Sequence, residues 1–150
     1  MIDRALIGHV TTPTTLRIDA WRVKLFCQAT GERDAVYWDE AAACAAGHRA
    51  CPVPTTFLKA LENEHLGAAA LLALMGAPIR GVLHAGQSFE FLAPLHVGDT
   101  VEICRRVADI YDKKNGALTF VVVDTDYRSG ERAVATSRQT MVLRSEVDPA

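Results

Sequence analysis

The C-terminal half of this chain constrains its fold more than any other feature. Four extended segments follow one another there with only turns between them. They fall at 82–93, 100–111, 118–127 and 133–144. The boundaries read PLHVGD, DKKNG and RSGE, and Asn115-Gly116 and Ser129-Gly130 are hairpin signals. Tight hairpins require antiparallel pairing. Val121-Val122-Val123 predicts a strand buried on both faces or lying at a dimer seam. An N-terminal strand would add a fifth member to the sheet.

Helices come first in the sequence. Asp19 is placed to cap a helix whose apolar stripe is Trp21, Leu25, Phe26 and Ala29, with Gly31 as its stop. A short alanine-rich helix is predicted from Asp39 to Ala46, ending at Gly47. In CPVPTTF, Pro54 suits a first helical turn, and Thr55 or Thr56 can satisfy free amides there. One long helix is then predicted over residues 55–75. Phe57, Leu58, Leu61 and His65 form its stripe, and Leu71, Leu72, Leu74 and Met75 broaden it. Gly67 and the alanines around it permit close backbone approach, and Gly76 and Pro78 end the helix. So apolar a helix should be largely buried. The packing that satisfies both halves is an α+β domain, an antiparallel sheet wrapped around one long central helix.

Composition narrows the function classes. The 150 residues suit one domain, spanning 1–150 with a core near 16–145, and can bury a core without staples. A net charge of −2 asks for neither nucleic acid nor an anionic membrane. No apolar run is long enough to span a bilayer, and MIDRALIGHV lacks the features of a signal peptide, so a cytoplasmic protein is expected. Cys27, Cys44, Cys51 and Cys104 have no zinc-type spacing and read as small buried hydrophobes. The segments TTPTT and EVDPA read as loop or tail.

Three segments, in order, carry a family resemblance: FCQATGERDAVYWDEAAACAAG, CPVPTTFLKAL and LHAGQSFEFLAPLHVGDTV. Together they resemble the MaoC-type dehydratase/hydratase domain, a hot-dog fold. There they form the catalytic loop, the start of the central helix, and the first long strand with its turn. The third segment is most similar to the N-terminal-type domain of the group, which often serves as the non-catalytic half of a double hot-dog. The resemblance implies chemistry on acyl thioesters, namely (R)-specific hydration of an enoyl thioester or dehydration of a 3-hydroxyacyl thioester. It also implies a homodimer, or a heterodimer with a catalytic MaoC-type subunit. CoA or acyl-carrier thioesters would be substrates. No cofactor and no metal are implied.

Active members carry a motif resembling Gly-Asp-x-Asn-Pro-(Ile/Leu/Val)-His, in which Asp and His hold one water and share the proton transfers. The matching stretch here is Gly31 to Tyr37. Glu32 replaces the Asp, Asp34 the Asn, and Tyr37 the His, so these three are the candidate catalytic residues. An unperturbed phenol titrates near pH 10, so Tyr37 acting as a base near neutrality would require about 4 kcal/mol of tuning. Burial works against that and a neighbouring Arg33 would work for it.

The candidate substrate-binding residues are Pro54, Thr55 and Thr56 at the helix start, His84 and Gly86 on the first long strand, and His48 with Arg49. Amides at the helix start can polarise a thioester carbonyl. His84 can contact the thioester or a partner subunit. His48 and Arg49 can meet the phosphates of coenzyme A or of a carrier arm. Two alternative functions remain on the same fold. One is a thioesterase using Glu62 or Glu64 of the central helix; the other is an acyl-thioester binding protein without turnover.

Overall fold

The computed structural model describes residues 2–65, 68–77 and 80–144. The expectations placed on Gly67, Pro78 and the C-terminal tail, and on the His65 side chain, lie outside what is described. Five strands form one antiparallel sheet: β1 (Thr14–Arg17), β2 (Val82–Phe91), β3 (Thr100–Lys113), β4 (Leu118–Ser129) and β5 (Arg132–Arg144). Their order is β1-β3-β4-β5-β2, so β1 and β2 are the edges. Among the described residues the α-helices are α1 (Ala20–Thr30), α2 (Glu40–Ala45), α3 (Phe57–His65) and α4 (Ala68–Leu74). No helix among the described residues is long and apolar enough to cross a membrane.

The predicted strands are present, and the β3–β4 turn places Lys114, Asn115 and Gly116 at positive φ. The N-terminal strand is also present, so Thr14 and Thr15 belong to β1 rather than to a loop or tail. The valine run in β4 alternates: Val121 and Val123 are fully buried while Val122 is only half-buried, so this strand has one core face within the chain. The predicted face of α1 is also corrected. Trp21 and Leu25 are 65% and 58% exposed, and the buried face is Val23 and Cys27. A pair four residues apart is the stripe of a helix lying on the sheet; Trp21 and Leu25 beside it face outward, whereas Phe26 of the predicted stripe is partly buried and packs edge-on against Phe57 at 5.3 Å. Cys44 is exposed rather than buried, whereas Cys27 and Cys51 lie in the interior.

Helices α3 and α4 lie against the inner face of the sheet, but the core between them is not one apolar mass. Phe57, Leu58 and Leu61 of α3 pack with Val101, Ile103, Tyr127 and Val134. Leu71 and Leu72 of α4, with Met75 beyond it, pack with Val107, Ile110, Val121, Val123 and Met141. Between these clusters runs a polar row. Arg105, Thr125 and Ser137 are cross-strand neighbours, all buried, and Gln139 lies one inward position further along β5. Beyond the row, a bulge at Ala108 shifts the inward positions of β3 from Val107 to Ile110.

Candidate active site

Two loops that leave helices through the same cap bring the site together. Gly31 ends α1 in the left-handed region at φ 74°, and the Glu32 amide closes back on the Cys27 carbonyl at 2.8 Å. Gly47 follows α2 at φ 87°, and the His48 amide closes on the Ala43 carbonyl at 2.9 Å. Both are Schellman caps, which glycine favours because it has no Cβ penalty there. Glu32 and His48 are therefore the first residues to leave their helices in fixed directions.

In the first loop, Glu32 and Asp34 organise the backbone. Glu32 Oε1 accepts from the amides of Arg33 at 2.8 Å and Asp34 at 3.0 Å. Asp34 Oδ1 accepts from the Val36 amide at 3.1 Å and caps a short 3-10 turn, Ala35–Tyr37. Trp38 Nε1 donates to the Glu32 carbonyl at 3.1 Å. This turn projects Tyr37, half-buried, into a cavity. Burial, then the negative charges of Glu32 and Asp34, push the Tyr37 phenol above its ordinary value. The shift is away from a base, so near neutral pH Tyr37 is a protonated hydrogen-bond donor.

The cavity has a volume of about 390 Å³. Its walls include Tyr37, His48, Pro54, Thr55, Leu58 and the segment 91–95 that leads from β2 toward β3. Of the residues singled out in the sequence, it gathers Tyr37, His48, Pro54 and Thr55. Glu32, Asp34, Arg49, Thr56, His84 and Gly86 do not line it. Pro54 is buried, and Thr55 and Thr56 are exposed in the turn that precedes α3. Among the described residues neither threonine side chain caps an amide. The first amides of this turn to bond within the helix are those of Phe57 and Leu58, onto the carbonyls of Pro54 and Thr55. Among the described residues the Thr55 and Thr56 amides have no hydrogen-bond partner in this turn. Phe91 and Leu92, at the end of edge strand β2, are about half exposed at 48% and 52%, so the cavity opens where the sheet has no further strand.

Behind His48 lies a cluster that motif matching did not reveal. His48 Nδ1 is 3.2 Å from His96 Nε2. His96 is 5% exposed, and its other nitrogen, Nδ1, has no hydrogen-bond partner and stands 4.0 Å from Asp99 Oδ2. Asp99, also buried, accepts from the His96 amide at 3.0 Å and pairs with the Arg49 guanidinium. Burial holds the His96 imidazole below its ordinary value; Arg49 adds to this, Asp99 opposes it, and His48 and Arg132 add smaller repulsions. The segment is braced against 51–53: Val53 donates to the Leu95 carbonyl and Val97 to the Cys51 carbonyl, each at 2.9 Å.

Glu62 belongs to a different environment. It is fully buried in α3 beneath the polar row and accepts from Lys59, Tyr127 and Ser137. Burial alone would raise its carboxyl pKa, but these three donors outweigh burial and hold it below the usual range. Lys59 and Arg105 share the Gln139 amide oxygen at 3.1 and 2.8 Å. Glu64 sits on the surface and pairs with Arg22. His84 is exposed on β2, with Nε2 3.1 Å from the Gly86 carbonyl, across a bulge between His84 and Gly86 that lies on the open sheet edge. Among the described residues no group of His, Cys, Asp and Glu forms a metal-binding set.

Comparison with known proteins bears on the family and the fold. The profile of the FAS1-like, dehydratase domain region matches residues 5–137. A UPF0336 protein of Saccharopolyspora erythraea is 26% identical over 148 residues, covering 98% of this chain and 94% of its own. The HadBC (3R-hydroxyacyl-ACP dehydratase) complex of Mycobacterium tuberculosis contains a chain that superposes with a TM-score of 0.76 at 19% identity, covering 91% of this chain and 96% of that one. A chain of the ChsH1–ChsH2 complex of the same organism gives 0.77 at 20% identity, covering 93% and 90%. The α+β arrangement of sheet and central helices is thus the hot-dog fold, and the chain belongs to the FAS1-like, dehydratase domain region family.

Proposed function

We propose that this chain acts on acyl thioesters, as a component of an (R)-specific enoyl-thioester hydratase or 3-hydroxyacyl-thioester dehydratase. The observation that carries the proposal is the cavity that joins Tyr37, His48 and the start of α3 and opens at the β2 edge. A thioester carbonyl placed against Thr55, at the positive end of a helix, would meet an unpartnered amide there, which stabilises enolate charge. Tyr37 adds a neutral donor. The apolar wall of Leu58, Leu92, Leu95 and Val134 suits an acyl group. Edge strand β2, with His84 and Gly86 along it, would meet a second hot-dog subunit, either another copy or one bearing the Asp/His pair. Such pairing covers an open sheet edge and completes the cavity mouth. The reaction needs no cofactor, since CoA or a carrier thioester is the substrate.

A thioesterase acting through Glu62 or Glu64 finds no support in the geometry. Glu62 is saturated by three donors and lies outside the cavity, and Glu64 is tied to Arg22 on the surface. The test is loss of the enoyl-thioester absorbance of crotonyl-CoA with the protein alone, then with a catalytic MaoC-type subunit added. Hydration in either arm is the expected result. Tight acyl-CoA binding with no hydration in both arms would mean a binding protein without turnover.

A further inference from the structure

The family motif places proton transfer at positions 32 and 37, yet here the cavity's imidazole comes from a different loop. We propose that His48 is the proton-transfer residue of this cavity, held in one tautomer by His96, with Asp99 behind it as the electrostatic anchor. The inference rests on the acyl-thioester reading above and assigns the chemistry within it.

The argument starts from the buried end. His96 Nδ1 has no hydrogen-bond partner and lies 4.0 Å from a carboxylate oxygen of Asp99. A lone pair there would face negative charge in a site with little water, whereas an N–H there is attracted to it. His96 therefore carries its proton on Nδ1. Its Nε2 is then an acceptor, and at 3.2 Å its partner, His48 Nδ1, is the donor. With Nδ1 protonated, neutral His48 has its lone pair on Nε2, the nitrogen left for the cavity that His48 lines. A free imidazole exchanges between tautomers; this pair removes that freedom. The charged groups around it are Asp99 and Arg49 at the far end, and Arg132, whose guanidinium reaches the Pro94 carbonyl at 3.3 Å. Arg49 tethers Asp99, and the α2 cap fixes the His48 backbone.

In the hydration direction, a water O–H bond breaks as its proton passes to His48 Nε2. The water oxygen bonds to C3, and the C2=C3 electron pair shifts toward the thioester carbonyl. The same proton then passes from Nε2 to C2. Dehydration is the reverse, and no oxidant or reductant is required. His48 is the catalytic residue in this scheme, and His96 is a positioning residue.

Two measurements on the full chain test this. The first is the tautomeric state of both rings, read from long-range proton–nitrogen NMR spectra of the imidazoles. We expect Nδ1–H on both, and loss of the fixed His48 tautomer in His96→Leu. His96→Gln should keep it, because the amide oxygen can still accept from His48 Nδ1. The second is crotonyl-CoA hydration, with the catalytic partner present if the wild type needs it. His48→Gln should lower kcat by about 100-fold or more with KM within about twofold, the range of lost acid–base catalysis. His96→Leu should lower kcat, and His96→Gln should restore most of it. The wild-type kcat/KM should fall on acidification as His96, whose imidazole burial holds below its ordinary value, takes up a proton and can no longer accept from His48 Nδ1. Nε2–H on His48, or wild-type turnover in His48→Gln while the wild type is active, would overturn the assignment and leave the hydratase reading standing. Absence of hydration by the wild type in both arms would remove that reading, and the catalytic role of His48 with it.

Discussion

Two buried carboxylates, Glu62 in α3 and Asp99 just before β3, have been given opposite surroundings. Glu62 accepts from Lys59, Tyr127 and Ser137, and the Tyr127 phenol is driven far above its ordinary value by burial and by that charge. Nothing in the cluster is free to exchange a proton with a ligand. Asp99 takes a backbone amide and Arg49, and faces an imidazole whose nearer nitrogen is unpartnered. In the proposed arrangement it orients the His96 ring, and through it the His48 ring at the cavity wall. The difference teaches that burial and a perturbed titration do not by themselves mark a site. A saturated network anchors a helix, and a site requires an unsatisfied atom with a path to a cavity.

The comparison is broken most forcefully at Glu62. Glu62→Ala leaves Lys59, Tyr127, Ser137 and the Arg105–Gln139 pair without their buried charge, and should cost about 3–5 kcal/mol by urea unfolding. Asp99→Asn keeps the shape but weakens the bonds to Arg49 and the His96 amide. A loss of about 1–3 kcal/mol is expected, with a larger effect on kcat than on KM. If Asp99→Asn proved as destabilising as Glu62→Ala and kinetically silent, the two clusters would be the same kind of structure.

Acid separates the clusters further. His96 titrates below its ordinary value of 6.5 in the folded chain, so the unfolded chain binds that proton first. Its contribution is complete above 6.5 and is lost as pH falls through the depressed value. Glu62 is lowered from 4.5, so its contribution persists until pH falls below 4.5. Unfolding free energy should therefore fall in two limbs on acidification, and His96→Gln should erase the first while leaving the second. The smallest effect is expected on the surface: Glu64→Gln, opening the pair with Arg22, should change stability by less than about 1 kcal/mol in the same assay.

How far the sequence could be read follows from range. The hairpin strands, α2 and its glycine stop were legible because turn chemistry is local. The buried side of α1 was misread because Trp21 and Leu25 outweigh Val23 and Cys27 in apolar size, while burial is decided by which side meets the sheet. Strand β1 was obscured by threonines that also suit loops. Of the residues that line the cavity, Tyr37, His48, Pro54 and Thr55 were legible in the sequence. The pairing of His48 with His96 had no local signal, because the Pro52–His96 bridge that aligns their segments forms only in the fold. Arg105, Thr125, Ser137 and Gln139 looked like ordinary strand polarity, since the sequence does not say which alternate positions face inward.

That polar row has a consequence for motion. It lies between two separate apolar clusters, so the α4 end and the α3 end need not open together. Amide hydrogen exchange in Leu71 and Leu72 should report one opening free energy and Leu58 and Leu61 another. The row is then a seam along which one end can breathe while the cavity end keeps its shape.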